Sequence, residues 1–174
     1  MDFGIPKEVR ELQSETRVGL TPPGVQGLVQ ADHTVYVEKE AGVMAGFDDG
    51  VYRRHGAQIV YSAAELYGRS DIVVKVARPA RQEHTLFRPG QSIFSFLHLQ
   101  VASPDLFDAL EEREITAIAM ETIENENGRL PVLLPMSEVA GRLAPIVAGQ
   151  LLMSINGGRG TLLGGIPGVP RGSV

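Results

Sequence analysis

The 174-residue chain contains no cysteine and no tryptophan. Without cysteine there can be no disulfide framework, no thiolate nucleophile and no cysteine-ligated zinc site. That absence suits a reducing compartment. Positive charge is also in short supply: 16 Lys and Arg stand against 21 Asp and Glu, for a formal net charge of −5 and a pI of about 5.4. Nothing here offers a basic face to a phosphate backbone, which makes nucleic acid a poor partner. No apolar run reaches the ~18 residues of a membrane-crossing helix. The opening Met-Asp-Phe-Gly-Ile-Pro lacks the basic start and long apolar stretch of a secretory signal. The expectation is a cytoplasmic protein with no membrane partner.

What is present is ordinary for a folded domain: 43% hydrophobic and 21% charged residues, with a mean hydropathy of +0.00. The length is enough to bury a core without covalent staples. Short β-branched and apolar runs recur at Phe3–Ile5, Thr34–Glu38, Gln58–Val60, Asp71–Val76, Ser92–Leu97 and Ile115–Ala119. Helix-like segments lie between them, one starting near Thr21-Pro22, others at about Asp48–His55, Ala63–Tyr67 and Pro104–Arg113. A polar residue followed by proline, as in Thr21-Pro22, is a helix-start signature. This alternation predicts an α/β fold, an open parallel sheet with helices on both faces, with strands buried on both sides.

The pattern changes after about Glu121. A loop with Asn125, Asn127 and Gly128 leads to Pro131–Pro135. Ser137–Ser154 then reads as one long helix, interrupted in its middle by Pro145. A Gly/Pro-rich tail, NGGRGTLLGGIPGVPRGS, closes the sequence. It lacks the G-x-G-x-x-G and Gly-Lys-Ser/Thr patterns of phosphate-binding loops and reads as a linker.

In an open parallel sheet, ligands bind outside the carboxyl ends of the strands. Three side chains of suitable chemistry are predicted there. Arg17, in the loop after the first strand, can grip a carboxylate with two parallel hydrogen bonds; the plain alternative is a solvated ion pair with Glu15 or Glu11. Lys75, in the apolar run DIVVKV, needs a partner or a route to water, and snorkelling past the strand end is its alternative. His98 ends SIFSFLHL, and histidine is the residue type suited to giving or taking a proton in a reaction; the alternative is a core histidine bonded to a carbonyl. Together they suit a small 2-oxo or 2-amino acid. His33, His55 and His84 are too scattered in sequence for a metal site, so no metal is expected.

The segments GIPKEVRELQSETRVGLTPPGVQGLV, HGAQIV, DIVVKV, FSFLHL, LPMSEVAGRLA and GGRGTLLGGIPGVP resemble the family shared by alanine dehydrogenase and the alpha subunit of nicotinamide nucleotide transhydrogenase. The resemblance runs through essentially the whole chain. His98 and ETIENENGRLPVLLPMSEVAGR resemble the alanine dehydrogenase branch, leaving the transhydrogenase branch as the alternative. The resemblance implies a Rossmann-like or flavodoxin-like substrate domain over residues 1–130, then an inter-domain helix and linker over 131–174. It implies oxidative deamination of L-alanine to pyruvate and ammonia with NAD as cofactor. Arg17 matches the carboxylate-binding arginine and Lys75 the lysine that binds the substrate oxygen or carboxylate. His98 matches the general acid/base, and Ser137 a serine that approaches the cofactor. The NAD-binding motif and an aspartate of the family's site have no match within the 174 residues, so this chain by itself is expected to be inactive. A homo-oligomer, or a partner chain carrying the NAD-binding domain, is then implied. Two further alternatives are a stand-alone pyruvate- or alanine-binding module and a truncated remnant whose long helix would expose an apolar face. Two departures from the family stand out. Asp32 replaces a glycine before His33, which disfavours a left-handed turn there, and Pro145 interrupts a helix that is usually unbroken.

Overall fold

The computed structural model describes residues 1–9 and 15–172. They fall into two compact units, Met1–Glu121 and Thr122–Val174. Among the described residues the first unit contains six strands: β1 (Asp2–Ile5), β2 (Thr34–Glu38), β3 (Gln58–Val60), β4 (Ile72–Ala77), β5 (Ser92–Phe96) and β6 (Thr116–Ala119). All pair in parallel, in the order β3-β2-β1-β4-β5-β6. The chain winds outward from β1 to β3, returns to β4 beside β1, and winds outward again. The sheet is Rossmann-like, and the boundary between β1 and β4 is its switch point, where the crevice for a ligand opens.

Among the described residues, four helices cover the sheet: α1 (Pro22–Gln30), α2 (Asp49–Arg54), α3 (Ala63–Arg69) and α4 (Pro104–Glu112). Their starts follow from the sequence. Asp48 caps α2 by accepting the Val51 N–H at 2.8 Å, and Ser62 caps α3 by accepting the Glu65 N–H at 3.2 Å. Glu65 returns the favour at the Tyr61 N–H, 3.1 Å away. Thr21 precedes α1 without a side-chain cap bond, so prolines at the first turn set that start instead.

Side chains leave a strand alternately to its two faces, and two apolar layers result. Val60, Leu66, Tyr67, Val73, Phe87, Ile93, Leu106 and Leu110 form one layer; Ile5, Val25, Val35, Val37, Ala41, Tyr52 and Ala57 form the other. Gly4 faces the first of these, where a Cβ would fall 2.7 Å from Leu66 Cδ2.

The expected left-handed obstacle at Asp32 is overturned. Asp32 adopts φ 60 in the turn between α1 and β2, and no glycine is needed. The Asp32 and His33 N–H groups both close onto α1, to the Val29 and Leu28 carbonyls at 3.1 Å each, and these bonds hold the turn. The conformation still costs an L-residue about 1 kcal/mol. Asp32→Gly should therefore raise stability by about 0.5–1 kcal/mol, read as a shift of the urea midpoint at unchanged slope.

In the second unit, α5 spans Leu134–Leu152, so it starts and ends earlier than Ser137–Ser154. Pro135 lies in its first turn, where a missing N–H has no intrahelical partner to lose. Ser154 belongs to a 3-10 turn, Ser154–Asn156. The expected break at Pro145 does not end the helix, which runs through it. About three turns of helix precede it and about two follow, and the surface there is exposed, so the carbonyl left without a donor can reach water. Met136, Val139, Leu143, Ile146, Val147 and Leu151 of α5 are exposed. Among the described residues, no helix is long and apolar enough to cross a membrane.

Candidate functional site

The site grows from the ends of β1, β4 and β5. After Ile5 the chain carries Glu8 to the carboxyl end of the neighbouring β4. There its carboxylate accepts the Val76 and Ala77 N–H groups at 2.6 and 3.3 Å. Lys75 lies one residue before Val76. Its side chain is 0% exposed, and its Nζ lies 3.3 Å from Glu8 Oε2 and 2.9 Å from Glu83 Oε1. The snorkelling alternative for Lys75 is thereby excluded: the ammonium does not reach water and is paired within the protein.

Glu83 belongs to the 3-10 turn Arg81–Leu86 that follows β4. Its Oε1 also accepts the Tyr67 hydroxyl at 2.9 Å, and its Oε2 accepts the Ala80 N–H at 2.8 Å. Burial, reinforced by Glu83, pushes the Tyr67 hydroxyl well above its ordinary pKa. Glu38, at the end of β2, accepts the Lys7 N–H at 2.8 Å. Burial raises the pKa of both Glu8 and Glu38, outweighing the hydrogen bonds and the Lys75 charge that favour their ionised forms. One buried cation thus faces a surplus of buried acid.

Arg17 stands on the loop that returns from the edge to α1. Its Nε and Nη2 donate to the two oxygens of Glu15, each at 2.8 Å. These bonds raise its pKa further, and Glu8 adds to the effect. The pairing with Glu15 foreseen from the sequence is present; Glu11 lies outside the described residues. The Arg17 side chain remains 48% exposed. Two contacts anchor its loop. The Tyr52 hydroxyl donates to the Leu20 carbonyl at 2.8 Å, and burial lifts that hydroxyl to a pKa of about 12. Gly19 lies flat on β4, where an added Cβ would strike the Val74 carbonyl.

His98 follows β5 in a left-handed conformation, φ 44 and ψ 52. Such backbone strain is often retained at functional sites. Glu121 holds the turn: its Oε1 accepts the His98 N–H at 2.6 Å and its Oε2 the Leu97 N–H at 3.2 Å. The imidazole stacks on Phe96, with Nδ1 3.8 Å from Glu121 Oε1, and its side chain is 54% exposed. His98 is therefore a surface imidazole beside a carboxylate rather than a core histidine. Register pairs Ala77 of β4 with Phe96 of β5, so Lys75 and His98 belong to adjoining strand ends.

Ser137 lies in the second unit, on α5, where its hydroxyl donates back to the Leu133 carbonyl at 3.3 Å. It lines a groove with Gly128, Arg129, Leu130, Leu133 and Leu134. Among the described residues, no group of three His, Cys, Asp or Glu side chains could hold a metal ion.

Sequence reasoning did not single out Glu8, Glu83, Tyr67 or Glu121. A lysine inside an uninterrupted apolar strand demands a carboxylate partner. Acids in the loops leaving β1 and β4, where Glu8 and Glu83 sit, were the residues to search.

Residues 4–140 match the family described as "Alanine dehydrogenase/PNT, N-terminal domain". The chain is 44% identical over all 174 residues to an alanine dehydrogenase of Staphylococcus haemolyticus, and equally so to alanine dehydrogenase 2 of Staphylococcus aureus. It covers 46% of the length of each, so it spans about half of these curated relatives. Among solved structures, an L-alanine dehydrogenase superposes with a TM-score of 0.87 at 46% identity, over 99% of this chain and 46% of that one. A transhydrogenase from Sinorhizobium meliloti superposes less closely, with a TM-score of 0.66 at 26% identity over 73% of this chain and 35% of that one. The family match, the sequence identity and the structural likeness agree: the chain belongs to the alanine dehydrogenase/PNT N-terminal domain family.

Proposed function

We propose that this chain forms the substrate-binding part of a cytoplasmic, NAD-linked alanine dehydrogenase, which converts L-alanine and water to pyruvate and ammonia. The observation that carries this reading is the placement of Lys75 and His98 at adjoining strand ends beside the switch point, with the Arg17 loop anchored on β4. The closer likeness to alanine dehydrogenases than to the transhydrogenase supports the same branch.

In this reading each residue has one task. The Arg17 guanidinium takes the substrate carboxylate, in competition with or beside Glu15. Lys75 donates a hydrogen bond to the substrate oxygen, polarising a carbonyl. His98 exchanges the proton that accompanies interconversion of carbonyl and amine, with Glu121 orienting its ring. Ser137 faces the cofactor side.

The sheet itself does not fit the dinucleotide. β1 runs into Pro6-Lys7-Glu8 rather than a glycine-rich turn, and a buried carboxylate stands where a pyrophosphate would need backbone N–H groups. NAD supplies the hydride acceptor in the proposed reaction, and its seat is elsewhere than on this sheet. A partner chain or a homo-oligomer that brings the nucleotide to the edge belongs to the same proposal.

Calorimetric titration with pyruvate tests the reading. The chain should bind pyruvate, and Arg17→Ala should weaken binding tenfold or more, since a hydrogen bond to a charged group contributes about 1.5–3 kcal/mol. Absence of heat with the unaltered chain would contradict the substrate assignment. Binding equal in both proteins would remove Arg17 from it.

A further inference from the structure

An ammonium carries three N–H donors. In Lys75 two of them face carboxylates, Glu83 at 2.9 Å and Glu8 at 3.3 Å. The third meets no acceptor among the described residues, although the side chain is wholly buried. That donor is sealed from solvent here, so a ligand oxygen reaches it only when the segments packed over the strand end part.

The two carboxylates are held in different ways. Glu8 rides on the loop leaving β1 and, besides facing Lys75, accepts the Val76 and Ala77 N–H groups of β4. Glu83 is enclosed, with 3% of its surface exposed, and both of its oxygens are engaged. Oε1 binds Lys75 and the Tyr67 hydroxyl, and Oε2 binds the Ala80 N–H. Tyr67 itself is buried in the apolar layer beneath the sheet.

We propose that Glu83 is a positioning residue: backed by Tyr67 and the Ala80 N–H, it fixes the Lys75 ammonium so that the remaining donor points to the oxygen of a small 2-oxo acid. The inference rests on the assignment of Lys75 to the substrate oxygen made above. Glu83 has no free oxygen and no exposed edge, so it acts through Lys75 and does not touch the ligand. Replacing it by glutamine leaves one acceptor oxygen for three donors, from Lys75, Tyr67 and Ala80. The ammonium is then released toward Glu8, and its third donor turns away from the ligand.

The test uses the full 174-residue chain, with pyruvate as the probe, and two readouts. One is pyruvate affinity by calorimetry. The other is the 1H–15N signal of the Lys75 ammonium, which is observable when its protons are held and exchange slowly. Glu83→Gln should melt cooperatively, bind pyruvate at least tenfold more weakly and lose the ammonium signal. Thr85→Ala, an exposed position on the same 3-10 turn, should change neither. Unchanged affinity, or an unchanged ammonium signal in Glu83→Gln, overturns the proposal. If the unaltered chain does not bind pyruvate, the substrate reading fails, and the ammonium signal decides the positioning role alone: lost in Glu83→Gln it supports that role, retained it refutes it. Should Glu83→Gln not fold, Tyr67→Phe replaces it, removing the hydroxyl that steadies Oε1. Two- to threefold weaker binding and a shifted ammonium signal are then expected, and no change in either overturns the proposal.

Discussion

Lys75→Met should lower the stability of the first unit by about 3–5 kcal/mol at pH 7, the usual cost of leaving buried partners of a broken ion pair unpaired. The geometry explains the size. Glu8 and Glu83 side chains are 2% and 4% exposed, and Lys75 is the cation between them. A methionine fills a similar volume, so the loss reports charge rather than a cavity. The deficit should shrink on acidification, and the sign follows from the shifts. Glu8 and Glu38 already hold their protons more tightly when folded than their ordinary value of 4.5, because burial dominates. A carboxyl whose folded-state pKa is raised penalises folding above that pKa, and the penalty fades as pH falls through it toward the unfolded value. Removing Lys75 takes away a charge that lowers both, so the window widens upward and the penalty at pH 7 grows. Urea unfolding of both proteins at pH 7 and pH 5 measures the difference. A gap of several kcal/mol at pH 7 that narrows at pH 5 is expected; a gap equal at both pH values would mean that the buried acids do not cause it.

Gly19→Ala should damage both stability and binding. The missing side chain lets the loop lie directly against the β4 backbone at Val74 and Lys75. The added methyl would meet a strand carbonyl in the middle of the sheet, and that backbone cannot step aside as a flexible side chain could. Overpacking of this kind costs about 1–3 kcal/mol. The strain is relieved most easily by lifting the loop, which carries Arg17 two residues away. Pyruvate affinity should therefore fall tenfold or more, comparable with Arg17→Ala, even though residue 19 offers no group to a ligand. Calorimetry beside a urea melt separates the two effects. Full affinity with reduced stability would show that the Arg17 loop position is independent of its seat on β4.

These effects bear on what a sequence discloses. The strand cores were legible because a sheet buried on both faces needs unbroken apolar runs, and DIVVKV and SIFSFL are such runs. The ends of those runs brought Lys75 and His98 to one edge, since all parallel strands end on the same side. Partners from distant segments were not legible: Glu8 is 67 residues from Lys75 and Glu121 is 23 from His98, and no periodicity links them. The start of α5 was placed too late, at Ser137, because Pro135 was read as part of the loop although a proline fits the first turn of a helix. Pro145 misled because the rule against interior prolines states a cost, and a long exposed helix can bear it. Asp32 misled likewise, as the hydrogen bonds of the turn offset the strain of a left-handed aspartate.

The central claim is that the carboxyl edge at the β1–β4 switch point receives a small 2-oxo acid. The most direct measurement is a 1H–15N amide shift map of the 174-residue chain during titration with pyruvate. Saturable shifts gathered at the ends of β1, β4 and β5, around Arg17, Lys75–Ala77 and Leu97–His98, are the predicted result. Shifts confined to the second unit, or no saturable shifts at all, would contradict it.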